Sequence, residues 1–312
     1  MKTKQTQTIL ASDEELRDLT DYHYGPAKEY LNILLQDRTT GGYIRFNTDN
    51  YKEFGYEQDD EMTPEVVLKL NIMPRVAKTK ELQKSRSKAK AEVFTPSWIC
   101  NTMNNHLDEV WFGYKDVFNV ENDDHTWKRT GHIVFPEDKT WEEYVKLTKL
   151  EVTCGEAPFI VSRYDTTTGL IIPIEDRIGF LDRKMRIISE NQRSDNEEDY
   201  GWGDWFEWAK KAFQASYGFE WSGDNLLLAR INLFYSYIDY ATRRNGEAFN
   251  PHLVSWETVA ETYREIAIII SWNLWQMDGL KDTLPNTDIP AKIRDWEKSE
   301  VIEFRSIKKQ EG

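Results

Sequence analysis

Between Lys149 and Leu280 the chain runs strand, helix, strand, helix, strand, and that order constrains the fold more than any other feature. Lys149 to Thr153 (KLEVT) is a short strand that the Cys154-Gly155 pair must turn. Trp205 to Ser216 (WFEWAKKAFQAS) has the apolar spacing of an amphipathic helix, and YGFEW after it is a second strand. Asn225 to Tyr240 (NLLLARINLFYSYIDY) is a long apolar helix, and VAETYREIAIIISWNLWQMDGL is a helix running into a third strand. Strands separated by whole helices pair in parallel, so the expected fold class is α/β, a parallel sheet with covering helices. With 39% hydrophobic and 13% aromatic residues over 312 positions, the chain can bury a core of that size. The charged stretch ISENQRSDNEEDYGWGDW is expected to be an exposed loop.

Residues 1–73 read as an N-terminal cap of mixed character, with Gly41-Gly42 turning a helix into a short strand. Residues 74–90 (PRVAKTKELQKSRSKAK) set Arg75, Lys78, Lys80, Lys84, Arg86, Lys88 and Lys90 against the single acid Glu81. Such a run is either a solvated linker or an arm that contacts phosphates. The formal charge of −14 excludes indiscriminate nucleic-acid binding, so any DNA contact must be local or shared with a partner.

No stretch approaches the roughly 18 apolar residues of a membrane span, and the N-terminus lacks a secretory apolar run, which predicts a cytoplasmic protein. Cys100 and Cys154 stand far apart without metal-ligand spacing and read as reduced core thiols. The five His residues form no i, i+3 or i, i+4 pair, so no metal site is expected. Ser162-Arg163-Tyr164-Asp165 reads as a packing ion-pair cluster.

Four segments then carry a resemblance. Glu92-Val93-Phe94-Thr95-Pro96, with Trp98-Ile99-Cys100, resembles the EVFTP segment that opens many adenine (N6) DNA methyltransferases of restriction systems. Glu151 to Val161 (EVTCGEAPFIV) is similar to that family's strand-loop DPACGSGNFLI, matching at Cys154, Gly155, Phe159 and the apolar pair after it. Tyr217 to Glu220 with NLLLARINL resembles the second strand and its A-R-x-x-L helix, and Ile270 to Leu280 the third strand. The resemblance spans roughly 90–285 and implies a Rossmann-like core over 91–312 that binds S-adenosylmethionine. Phe94, Thr95, Pro96, Glu151, Cys154, Gly155 and Glu156 would line that cofactor. A Gly turn and a helix N-terminus at the carboxyl edge of a parallel sheet suit such a ligand. Glu220 would accept the ribose hydroxyls, with Asp224 as the alternative, and Asp278 would read the adenine amino group.

The chain also departs from the family. The motif [NDS]-P-P-[YFW], which holds the flipped base, is missing: Asn250-Pro251-His252 lies before the third strand, and Leu284-Pro285-Asn286-Thr287 lacks the second proline and the aromatic. The catalytic residues are therefore unassigned. The sheet is expected to be truncated, since the chain ends about thirty residues past its third strand. In the first loop Glu156 stands where the family has Ser or Thr, and Ala157 where it has a second Gly.

Taken alone, Glu151 and Glu220 are also ordinary helix-capping acids, Asp278-Gly279 an ordinary turn, and Trp272 and Trp275 packing residues. The expected function is methylation of DNA adenine as a restriction-modification methylation subunit, with a protein partner supplying base capture. The rivals are a non-catalytic, degenerate subunit that binds DNA or a protein in a phage-defence complex, and a methyltransferase acting on RNA or protein.

Overall fold

The computed structural model describes residues 13–70, 72–78, 95–192, 202–248 and 256–308. The N-terminal part holds helices α1 (Asp13–Thr20), α2 (Pro26–Leu34) and α3 (Pro64–Lys69). Then come α4 (Ser97–Phe112), the antiparallel hairpin β1 (Asn119–Glu121) and β2 (Trp127–Arg129), and α5 (Trp141–Lys146). The central part runs β3 (Lys149–Glu151), α6 (Phe180–Asn191), α7 (Trp202–Gln214), β4 (Ser216–Glu220), α8 (Gly223–Ala248), α9 (Trp256–Asn273) and β5 (Leu274–Gln276). A second antiparallel hairpin, β6 (Lys292–Asp295) and β7 (Glu300–Glu303), and the single turn α10 (Arg305–Lys308) follow.

Local chemistry sets these boundaries. Thr63 caps α3 ahead of Pro64, and Thr140 and Glu143 form a reciprocal capping box at α5. Gly113, at φ 79°, ends α4 in the left-handed conformation that glycine adopts without strain.

Strands β3, β4 and β5 form one parallel sheet in chain order. Both crossovers step the same way across it, so right-handed connections bring their helices to one face. The strands alternate accordingly. Leu274 points into the main core with Ile231, Phe234 and Ile270, whereas Phe219 and Trp275 point to the opposite face and pack with Met277, Ile293 and Phe304 under the β6–β7 hairpin. Residues of the N-terminal part, among them Tyr22, Leu31 and Phe46, belong to the same main core as the sheet's helices.

Helix and strand meet later than the sequence pattern implied. Ile270 to Asn273 is the last turn of α9, and β5 is three residues long; no Gly or Pro marks the change from helix to strand, and the polar residues there, Ser271 and Asn273, are buried. The expected charged loop is likewise shorter: Ile188–Asn191 ends α6 and Trp202–Trp205 begins α7, while 193–201 lie outside the described residues.

Two buried cations hold these layers. Arg230, the Arg of the A-R-x-x-L pattern, donates to the carbonyls of Leu34, Gln36, Ser271 and Leu274, closing the ends of α2 and α9 at once. Arg183 donates to the Asp108 carboxylate, which also accepts from Lys149 Nζ at 3.0 Å and Tyr144 Oη at 2.6 Å. Cys100 and Cys154 are buried free thiols, and Arg163 pairs with Asp239 at 3.1 Å.

Candidate functional site

Glu151, Glu220 and Gln276 end the three strands at one edge of the sheet; Glu220 pairs with Gln276, and Glu151 pairs with Gly218, two residues before Glu220. The loop after β3 folds back over this edge by an unusual backbone: Thr153, Gly155 and Ala157 have φ of 50°, 55° and 64°. Only glycine takes that region freely, so the buried Ala157 sits there at a cost of about 1 kcal/mol. Hydrogen bonds from the loop's own amides hold that geometry. Cys154 N–H donates to Phe219 O at 2.9 Å, extending the β3–β4 ladder, and Ala157 N–H donates to Cys154 O at 2.7 Å.

Glu220 faces this loop. Its Oε2 accepts from Gly155 N–H at 2.9 Å and its Oε1 from Ser222 N–H at 3.1 Å. Burial raises its carboxyl above the ordinary range, against the pull of those two amides. Glu151 accepts from Ile160 N–H at 3.2 Å, and burial raises it well above the ordinary range, with the Glu220 charge adding to the effect. The edge therefore holds two coupled carboxyl groups, a setting that favours a cation over an anion.

The remaining predicted residues divide. Glu156 is fully buried rather than open to a ligand: Oε1 accepts from Arg75 N–H at 2.7 Å and Oε2 from Tyr164 Oη at 2.8 Å. The basic segment's first cation is thereby bolted through its backbone to the glycine loop. Lys78 ends the described part of that segment; Lys80, Lys84, Arg86, Lys88 and Lys90 lie outside the described residues, as does Phe94. Thr95 and Pro96 lead into α4, where Ser97 N–H donates to Asp165 Oδ2 at 2.6 Å and Thr166 Oγ1 donates to Thr95 O. The link from this segment to the glycine loop thus passes through Tyr164 and Asp165.

Asp224 is fully buried and accepts from Tyr51 Oη at 3.0 Å. Asp278 is turned onto its own loop, its Oδ1 accepting from Leu280 N–H at 2.9 Å and Lys281 N–H at 3.3 Å. Gly279 is needed for closeness: a Cβ there would lie 2.8 Å from the Phe219 ring.

Sequence reasoning missed the residue that ends β5. Gln276 pairs with the backbone of Arg45, accepting from its N–H and donating to its carbonyl, both at 2.7 Å, and donates to Trp221 O as well. Gly223 N–H donates to Phe46 O, and Trp221 Nε1 to Asn47 O. Residues 45–47 are therefore fastened across the carboxyl ends of β4 and β5. No signal short of a three-dimensional pairing marks Gln276 or Arg45. Asp165 was more readable, since Asp-Thr-Thr-Thr is a turn-forming string whose carboxylate accepts from the amides of Thr167 and Thr168.

Comparison with known proteins finds no match to this chain among family models, curated proteins or solved structures. Among the described residues no helix is long and apolar enough to cross a membrane, and no three His, Cys, Asp or Glu side chains are grouped to hold a metal.

Proposed function

We propose that this chain is the S-adenosylmethionine-binding half of a DNA adenine (N6) methyltransferase with a Rossmann-like core, and that a partner polypeptide supplies base capture and sequence recognition. The observation that carries the reading is the 2.9 Å bond from Gly155 N–H to Glu220 Oε2, which sets the acid ending the second strand against the glycine turn ending the first. In a nucleoside-binding edge of this kind the acid takes the ribose hydroxyls and the turn gives its amide to the ligand.

The residues present fit part of the cofactor. Glu220 has two carboxylate oxygens to offer a ribose diol, and the Glu151–Glu220 pair suits a cationic sulfonium and ammonium. Bound there, the cofactor would supply an electrophilic methyl group for direct attack by an adenine amino nitrogen. Binding requires Glu220 to release Gly155 N–H, which then becomes the donor. Asp278 meets the adenine only if its turn opens, because its carboxylate already serves Leu280 and Lys281. The basic segment beginning at Arg75, anchored to Glu156 beside the loop, would bring its cations to DNA phosphates next to this edge.

The same closure favours a second reading. A non-catalytic, degenerate subunit fits the Asp278 turn, the buried methyl of Ala157 and the Gln276–Arg45 clasp over the strand ends.

Calorimetric titration with S-adenosylmethionine separates the two. Micromolar binding that Glu220→Ala weakens about tenfold or more, roughly 1.4 kcal/mol, supports the cofactor site. No binding by the parent chain overturns it and leaves the degenerate subunit.

A further inference from the structure

Helix α4 is built inside out. Its inward face is polar: Asn101, Asn104 and Asp108 are buried, with Asn101 and Asn119 exchanging amide hydrogen bonds at 2.8–2.9 Å and Asn104 Nδ2 donating to Phe159 O and Ile178 O. Its outward face carries an apolar stripe beside the exposed Thr102 and His106. Met103, Leu107 and Val110 are 54%, 53% and 71% exposed, and Tyr114, just past the helix, is 38% exposed. They recur at i, i+4, i+7 and i+11, the spacing of a seam that packs against another helix. Half-buried Ile99 extends the seam by one turn, and Val134, 67% exposed, adjoins it where Tyr114 Oη donates to Val134 O.

A soluble surface scatters such residues singly; a continuous stripe marks an interface. The charges beside it select the occupant. Glu121 lies along one flank, accepting from Thr102 Oγ1 at 2.8 Å and Asn105 Nδ2 at 2.7 Å, and Glu109, with Lys115 Nζ at 3.9 Å, follows on the same side. The hairpin tip at the start of the seam, held by Trp98 stacking on His125 at 4.1 Å, exposes Asp123 and Asp124. A second copy of this chain would bring the same acids against them. A helix with Lys or Arg beside its apolar stripe would meet them with opposite charge.

We propose that the α4 seam docks an amphipathic, basic helix of a protein partner. The seam does not include the strand edge, so this inference stands whether or not a cofactor binds there.

The probe is a fluorescent synthetic helix of about five turns with Leu at the seam positions and Lys on both flanks, titrated by anisotropy into the full chain without cofactor. The expected result is saturable binding that Leu107→Glu with Val110→Glu weakens about tenfold or more, and that a Glu-flanked peptide does not reproduce. Both side chains are exposed, so the variant's unchanged circular dichroism shows that the fold is kept. Equal binding by the variant, equal binding of the Glu-flanked peptide, or no binding overturns the proposal. Sedimentation showing a dimer of the parent and a monomer of the variant also overturns it, in favour of a second copy.

Discussion

Replacing Asp108 by Asn removes one charge, keeps the side chain's shape and tests the buried network that joins α4, α6 and β3. The Asp108 carboxylate is fully buried and accepts from Arg183, Lys149 and Tyr144. After the change Arg183 and Lys149 lose the counter-ion they share, and one face of the new amide presents N–H groups to donors. Breaking a buried ion pair by removing one partner costs about 3–5 kcal/mol. With an unfolding entropy of about 2.1 cal/mol/K per residue, 4 kcal/mol lowers the melting temperature of a chain this long by roughly 6 °C. The pH dependence supplies a second arm. Burial opposes ionisation of Asp108, but Arg183 and Lys149 outweigh it and hold the carboxyl below its ordinary range. A depressed carboxyl stabilises the fold above its unfolded pKa, about 3.9, and that contribution is lost as pH falls through the folded value. Asp108→Asn should therefore lower stability near neutrality and flatten the acid limb of a urea-denaturation series. A variant melting within about 1 °C of the parent, with an unchanged acid limb, would refute the assignment of a charged buried network.

Glu220 provides the opposite sign. Its carboxyl is raised by burial, and only the ionised form accepts from both ribose hydroxyls, so S-adenosylmethionine affinity should fall on acidification at a pH above the ordinary carboxylate range, and a flat calorimetric profile would count against Glu220 as the ligand. Gly223→Ala would drive a Cβ to within 2.1 Å of Arg45 O, costing roughly 1–3 kcal/mol and lifting residues 45–47 from the strand ends; increased amide exchange at Arg45 and Phe46 would show it, and unchanged protection would argue against the close approach.

What the sequence disclosed was the order of elements and the acids that end them. Period and turn chemistry are local, so β3, β4 and the long α8 were readable from KLEVT, YGFEW and NLLLARINL. The start of β5 was not, because Ile270 to Trp275 carries no Gly or Pro where helix becomes strand. Side-chain direction was not readable either. Glu156 looked like a group facing a ligand, but Tyr164 and the Arg75 amide pull it inward, and Asp278 turns onto its own loop. The apolar seam of α4 was hidden for a different reason: Met103, Leu107 and Val110 look like core residues until Asn101, Asn104 and Asp108 are found to occupy the buried side.

The clasp of Arg45 onto Gln276 joins residues 231 positions apart. During synthesis at about 5–20 residues per second, the first partner leaves the ribosome on the order of 10–50 s before the second exists. Through that interval Tyr22, Leu31 and Phe46 have no core to enter, since the helices they pack against are still to be made. The fold thus ties completion of its N-terminal layer to its late-made helices, and a nascent chain stalled before Gly223 would present that layer's apolar side chains to chaperones rather than to its own interior.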